Sequence, residues 1–265
     1  MVFLNNIDPV MLAVGPLEIR WYGLFFAIGI LLNYLILKWI FKREKASELD
    51  LDSLVIYLFF GLVIGARLGH IIFYNWEYFS SNPIEILKIW NGGLASHGAA
   101  VGLLIAYSLW VWIHKANFAK YADMLVIPMP LTAAFVRLGN FFNSEIVGTP
   151  TGANGEVGDF GIVFKRLGED FPRHPAQLYE GAASLAIFFV LMLVYKKWFG
   201  KLPKLFMTFL YVGLYFVARF GVEYFKDQAF LADTWLGISR GQWLSVIPIG
   251  LAAGYFVWRA WKKDA

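Results

Sequence analysis

The chain has 265 residues, of which 59% are hydrophobic, 18% aromatic and only 16% charged; an average soluble domain is about 45–50% apolar and about a quarter charged. Its formal net charge of +4 is the balance of 23 Lys and Arg against 19 Asp and Glu, with no dense basic patch, which gives no reason to expect a nucleic-acid partner. The absence of cysteine excludes disulfides, thiolate metal sites and a cysteine nucleophile.

The first twenty residues, MVFLNNIDPVMLAVGPLEIR, lack a basic run ahead of an apolar core and do not read as a cleaved signal sequence. Pro9 and Pro16 are expected to shape a segment lying along the membrane surface. Seven apolar stretches then approach the roughly 20 residues that cross a bilayer as helix: 21–41, 53–73, 94–113, 121–141, 176–195, 204–225 and 242–261. The expected fold is an all-α polytopic membrane protein of seven transmembrane helices, one domain over 1–265, with a small cap at 142–175. Asn91–Gly93 reads as a turn before the third span. In the fourth, Pro128 and Pro130 should produce a kink, and Asp123 reads as a cap or interface residue. The glycines of the cap suit an irregular or β-rich segment, while GDFGIVFKRLGEDF has the pattern of a piece lying on the membrane. No internal repeat of the kind found in many transporters is visible.

Basic residues set the expected orientation. The short connections 42–52, 114–120, 196–203 and the tail from 259 carry eleven of them, from Lys42 to Lys263. The N-terminus and the longer connections carry seven over a much greater length. The N-terminus and the cap should therefore face outward and the C-terminus the cytoplasm.

Charge inside a span costs about 2.5–3.5 kcal/mol per residue on insertion scales and marks functional candidates. Here the charged residues are Arg67, Arg137, Glu180, Arg219 and Glu223, joined by His70, His97, Asn140, Asn143, Glu145 and Gln177. Under the expected topology five spans put these groups at one outward depth, which argues for a single polar cavity. Helical spacing groups them further: Tyr215, Arg219 and Glu223 share a face, as do Arg67, His70 and Tyr74, and Arg137, Asn140 and Ser144. Two readings stand for Arg219 and Glu223, a self-neutralising i, i+4 pair or a functional face. His70 reads as structural. His97, in GGLASHGAA, has small neighbours that allow close approach of a ligand. Three arginines suit a phosphate, and the abundant phosphate at a membrane is a phospholipid headgroup; a histidine supplies a proton acceptor. The residues alone therefore indicate a phospholipid-handling cavity with acid–base capacity, and leave a lipid transferase, a transporter and a non-catalytic lipid-binding subunit open.

The run Arg137-Leu-Gly-Asn140-Phe-Phe-Asn143-Ser-Glu145-Ile-Val-Gly148 resembles the signature R-x-G-N-F-x-N-x-E-x-x-G of the bacterial prolipoprotein diacylglyceryl transferases. Other segments resemble that family in the same order: Arg20-Trp-Tyr22-Gly, Gly65-Ala-Arg67-Leu-Gly69, Trp90-Asn-Gly-Gly-Leu-Ala-Ser-His97-Gly, Pro172-Arg-His-Pro-Ala-Gln177-Leu-Tyr-Glu180, Arg219-Phe-Gly-Val-Glu223 and Gly241-Gln242-Trp. The resemblance implies transfer of the diacylglyceryl group of phosphatidylglycerol to the lipobox cysteine of a prolipoprotein signal peptide. Glycerol-1-phosphate would be released, at the outer side of the bacterial inner membrane, among membrane lipids and without metal or other cofactor. It implies catalytic roles for His97, Arg137, Arg219 and Tyr22, with His97 the base for the thiol and the arginines holding phosphate. It further implies substrate contacts from Arg67, Asn140, Asn143, Glu145, Gly148, Gln177, Glu180, Tyr215 and Glu223, the last orienting Arg219. The chain departs from the family pattern at Val136, Asn91 and Ala99.

Overall fold

The computed structural model describes residues 1–15, 17–88, 92–152, 158, 160–226 and 238–264, with the backbone alone at Leu17, Ser96, Lys263 and Asp264. Pro16 and Asn91, both given roles above, lie outside the described residues. In chain order come β1 (Val2–Asn5), β2 (Val10–Val14), β3 (Leu17–Arg20), α1 (Trp21–Arg43), α2 (Glu48–Tyr74), α3 (Trp76–Ser81), α4 (Ser96–Ile113), α5 (Phe118–Leu125), α6 (Met129–Phe142), β4 (Gly161–Phe164), α7 (Ala176–Trp198), α8 (Phe206–Val222) and α9 (Arg240–Asp264). Among the described residues, six helical stretches are long and apolar enough to cross a membrane: Trp21–Arg43, Glu48–Tyr74, Phe118–Phe142, Ala176–Lys201, Phe206–Phe225 and Arg240–Lys262. The expected third span corresponds to a shorter apolar helix, His97–Ile113. The protein is thus a mostly helical polytopic membrane protein.

The break at Pro128 is present. α5 ends at Leu125, Val126–Pro128 form turns, and Pro130 falls in the first turn of α6, where a missing N–H costs nothing. The stretch Gly161–Phe164 corrects the membrane-surface expectation for GDFGIVF. It is a strand, buried along its whole length, and pairs in parallel with Val2–Asn5. The N-terminal segment is likewise not merely draped: β2 and β3 form an antiparallel hairpin whose end is pinned by Trp21 N donating to Pro9 O at 3.0 Å.

Two compact units divide the chain, Met1–Ile36 with Ala122–Ala265, and Leu37–Tyr121. In the first, α1 is held to α6 by Trp21 and Phe25 against Phe142, with ring centroids 5.3 and 4.9 Å away. Thr132 adds a polar link, donating to Gly29 O at 3.0 Å and accepting from Asn33 at 3.1 Å. The start of α8 is capped by Asp123, whose carboxylate accepts from Leu205 N (2.7 Å), Thr208 N and Thr208 Oγ1 (both 2.8 Å). Asp123→Ala leaves these donors unserved and is expected to cost about 2 kcal/mol. Asp123→Asn, still an acceptor, should lose less; thermal unfolding in detergent would separate the two.

The second unit is built on contact between α2 and α4. Gly61, Gly65 and Gly69 face Gly98, Gly102 and Ala106 so closely that a Cβ added at Gly98 would lie 2.2 Å from Gly65 O, and one at Gly102 2.1 Å from Gly61 O. Small residues let helix backbones meet where lipid supplies no hydrophobic drive between helices. At the other end of α4, Trp110 is fully buried and donates to Ser53 Oγ at 2.6 Å.

Candidate active site

The signature segment closes α6 and turns sharply. Arg137 Nη1 donates to Asn140 Oδ1 at 3.3 Å, and Asn140 Nδ2 and Asn143 Nδ2 donate to the two carboxylate oxygens of Glu145, at 3.0 and 3.2 Å. Ser144 and Ile146 flank Glu145 with φ of +56° and +55°. A β-branched residue is rarely found there, so the surroundings must hold the turn in place. They do: Glu145 N donates to Asn140 O at 2.9 Å, and the fully buried Gln177 donates from Nε2 to Glu145 O at 2.6 Å. Tyr22, at the start of α1, lies within electrostatic reach of both Glu145 and Arg137. Its ring packs where Gly139 lacks a Cβ, which would sit 2.9 Å from Tyr22 Cδ2.

Charge runs on from Arg137 into α7 and beyond α8. Arg137 Nε lies 2.6 Å from Glu180 Oε2, Glu180 Oε1 lies 2.8 Å from Lys226 Nζ, and Lys226 Nζ lies 3.2 Å from Glu223 Oε2. The four side chains are 8–18% exposed. Lys226 is the member that the sequence reading missed, having been counted only among loop cations; its i, i+3 spacing from Glu223 was the available signal. The self-neutralising Arg219–Glu223 pair, one of the two readings open from the sequence, is not formed among the described residues, because Glu223 is turned to Lys226 instead. Gly241 makes room for that carboxylate, since a Cβ there would meet Glu223 Oε1 at 2.3 Å. Tyr215, one turn before Arg219, is half-buried with its ring against Tyr211 and Phe216.

Buried polar atoms normally find partners. Among the described residues, six buried side-chain atoms make no hydrogen bond: Asn143 Oδ1, Ser144 Oγ, Gln177 Oε1, Glu180 Oε2, Arg219 Nε and Glu223 Oε2. All belong to this end of α6, α7 and α8. Two of them, on Glu180 and Glu223, have the cations just described nearby, but Arg219 has no carboxylate among the described residues. The cluster can therefore take an anion with several donors, and Arg219 is its uncompensated cation.

The cap holds this arrangement in register. Gly148 N donates to His174 O at 2.8 Å, and Gly148 forms a bridge opposite Lys226. A Cβ at Gly148 would lie 2.3 Å from Phe225 O and 2.5 Å from His174 O, so this glycine supports the site by close backbone approach. Arg173, buried at 8% exposure, donates from Nε and Nη2 to Glu169 (2.5 and 2.6 Å) and from Nη1 to Gly148 O (3.0 Å). The His174 ring sits among Phe160, Tyr179 and Phe225, and burial holds its pKa below the usual 6.5. The unfolded chain then binds more protons near and below pH 6.5, so the stability due to neutral His174 is complete above that pH and is lost as pH falls toward the folded-state pKa. Melting temperature is expected to drop between pH 7.5 and 5, and less so in His174→Phe.

The remaining two expected site residues lie in the second unit. His97 is exposed in the first turn of α4. Arg67 is buried at 5% exposure among backbone carbonyls. His70 bonds Asn75 (Nε2 to Nδ2, 3.0 Å) and stacks on Tyr74, in keeping with a structural role.

A family model described as prolipoprotein diacylglyceryl transferase matches residues 9–258. Similar proteins include the phosphatidylglycerol–prolipoprotein diacylglyceryl transferase of Tolumonas auensis, 46% identical over 93% of each chain. That of Chloroherpeton thalassium is 41% identical over 91% of this chain and 88% of its own. That of Bacteroides fragilis is 37% identical over 98% and 96%. The chain therefore belongs to the prolipoprotein diacylglyceryl transferase family, and it is a membrane protein and a transferase.

Proposed function

We propose that the protein transfers the diacylglyceryl group of phosphatidylglycerol to the lipobox cysteine of prolipoproteins, releasing glycerol-1-phosphate. The observation that carries this reading is the gathering, among the described residues, of buried polar atoms without hydrogen bonds near Arg137, Arg219 and Lys226, in a chain whose relatives bear that activity in their names. The thiol proton passes to His97, and the sulfur attacks the glyceryl carbon that carries the phosphate. The C–O bond breaks with its electron pair going to the phosphate oxygen, and the proton ends on the released phosphate. The leaving phosphate gains charge as the bond breaks, and cations in a site shielded from water stabilise that charge strongly. Arg219 takes the phosphate first, since no carboxylate among the described residues pairs with it; Arg137 and Lys226 turn to it by giving up part of Glu180 and Glu223. Tyr22, Asn140, Asn143, Glu145 and Gln177 hold the headgroup glycerol through their hydrogen-bonding atoms. α4 counts as the seventh span, the cap faces outward, and the C-terminus faces the cytoplasm, as the basic residues favour.

Incubation of the purified chain with phosphatidylglycerol and a lipobox peptide, followed by mass spectrometry of the peptide, tests the proposal. A diacylglyceryl mass gain with a thioether supports it. Bound lipid without modified peptide would instead indicate a non-catalytic lipid-binding subunit.

A further inference from the structure

Arg67 sits in the Gly65–Gly69 segment of α2, where a phosphate ligand is the first expectation. Its guanidinium is used up elsewhere. Nε donates to Ile86 O at 3.0 Å, Nη1 to Gly92 O at 2.6 Å and Gly93 O at 3.2 Å, and Nη2 to Glu85 O at 2.5 Å and Lys88 O at 3.4 Å. A guanidinium has five N–H donors in a fixed fork, one on Nε and two on each terminal nitrogen, so each is matched to a carbonyl. The Phe79 ring lies across it, 4.8 Å from centroid to the guanidinium carbon. No donor remains for a phosphate.

The acceptors belong to the chain that leads into α4. Gly92 and Gly93, at φ of +82° and +76°, aim their carbonyls at Arg67. A Cβ on Gly93 would lie 2.7 Å from the His70 ring and 3.0 Å from Arg67 Nη1. Immediately afterwards Ala95 N donates to Ala66 O at 2.9 Å, and Gly98 lies against Gly65 and Gly69. His97 stands between these last two contacts.

We infer that Arg67 is a positioning residue: its guanidinium is the template on which residues 85–88 and 92–93 are held, and through Gly92 and Gly93 it sets where His97 is presented. This rests on the proposal that His97 takes the thiol proton. Charge alone cannot do the task, because a lysine ammonium has three donors at one point and cannot span the carbonyls of two separate chain stretches.

The absence of cysteine permits a test with two independent readouts. Leu94→Cys, at a position 58% exposed, carries a spin label that reports order in the segment without catalysis. Arg67→Lys is expected to raise the mobility of this label. It should lower kcat by ~10- to 100-fold, the scale of a ~1 Å misplacement of a catalytic group, with KM for phosphatidylglycerol within ~2-fold. Placed on His97→Gln, the same change should cost less than ~3-fold, since the group it positions is already gone. Gly93→Ala disturbs the same carbonyls without touching the charge, should reproduce the pattern, and stands in if Arg67→Lys does not fold. An unchanged label with KM raised ~10-fold would make Arg67 a phosphate ligand and overturn the inference, as would losses that multiply fully in the double variant. If His97→Gln keeps the wild-type rate, the base assignment fails by itself; a mobile label would still uphold the template, and a fixed one would refute it.

Discussion

Replacing Arg219 with alanine is expected to lower kcat/KM for diacylglyceryl transfer at least ~10²-fold, the cost of removing one well-placed group that stabilises charge in the transition state. The reason is particular to this cation. Arg137 shares Glu180, at 2.6 Å, with Lys226, and Lys226 also leans on Glu223. Among the described residues, Arg219 is the one arginine with a buried Nε that makes no hydrogen bond. Removing it takes away positive charge without orphaning a carboxylate among the described residues, so folding should survive. Arg219→Lys keeps the charge but loses the fork, and should recover only part of the rate. Lys226→Gln should act differently, because Glu180 and Glu223 lose a partner: both stability and rate are expected to fall, with Lys226→Arg restoring both. Steady-state rates with a lipobox peptide, beside melting curves, check each case. An Arg219→Ala variant within ~3-fold of wild type would remove the phosphate-clamp role.

Charges inside apolar stretches were legible in the sequence because burying them is costly and few residues do it without purpose. Arg137, Asn140, Glu145, Gln177 and Glu180 do come together in the first unit. Lys226 was not legible, because a lysine just past the end of an apolar stretch is ordinary and its partner Glu180 lies on another helix. The carbonyl partners of Arg67 were not legible for a related reason. Residue spacing along α2 shows which side chains share a face but not where the carbonyls of a later loop will fall. Gly161–Phe164 read as a membrane-surface piece because its pairing partner, Val2–Asn5, stands at the other end of the sequence, and strand pairing at that distance leaves no local trace. The break before α6 was visible because proline acts locally.

The α2–α4 contact should respond as sharply as the arginine site, in stability instead of rate. Gly102→Leu is expected to destabilise the protein by about 3 kcal/mol or more, since overpacking already costs about 1–3 kcal/mol where side chains can yield. Here the first atoms met are backbone: Gly61 O at 2.1 Å and Gly65 Cα at 2.8 Å. Neither can turn aside, so α4 must move off α2, and the contacts at Gly65, Gly69 and Gly98 open with it. Even Gly102→Ala places its methyl carbon inside those distances and should be costly. Gly250→Ala in α9 is the matching control. Nothing lies within 4 Å of its added Cβ, and relief of glycine's helix penalty, about 1 kcal/mol, should leave it neutral or slightly stabilised. Melting temperature and the yield of folded protein in detergent give the comparison. Equal stability of the Gly102 and Gly250 variants would mean that α2 and α4 do not meet at backbone distance.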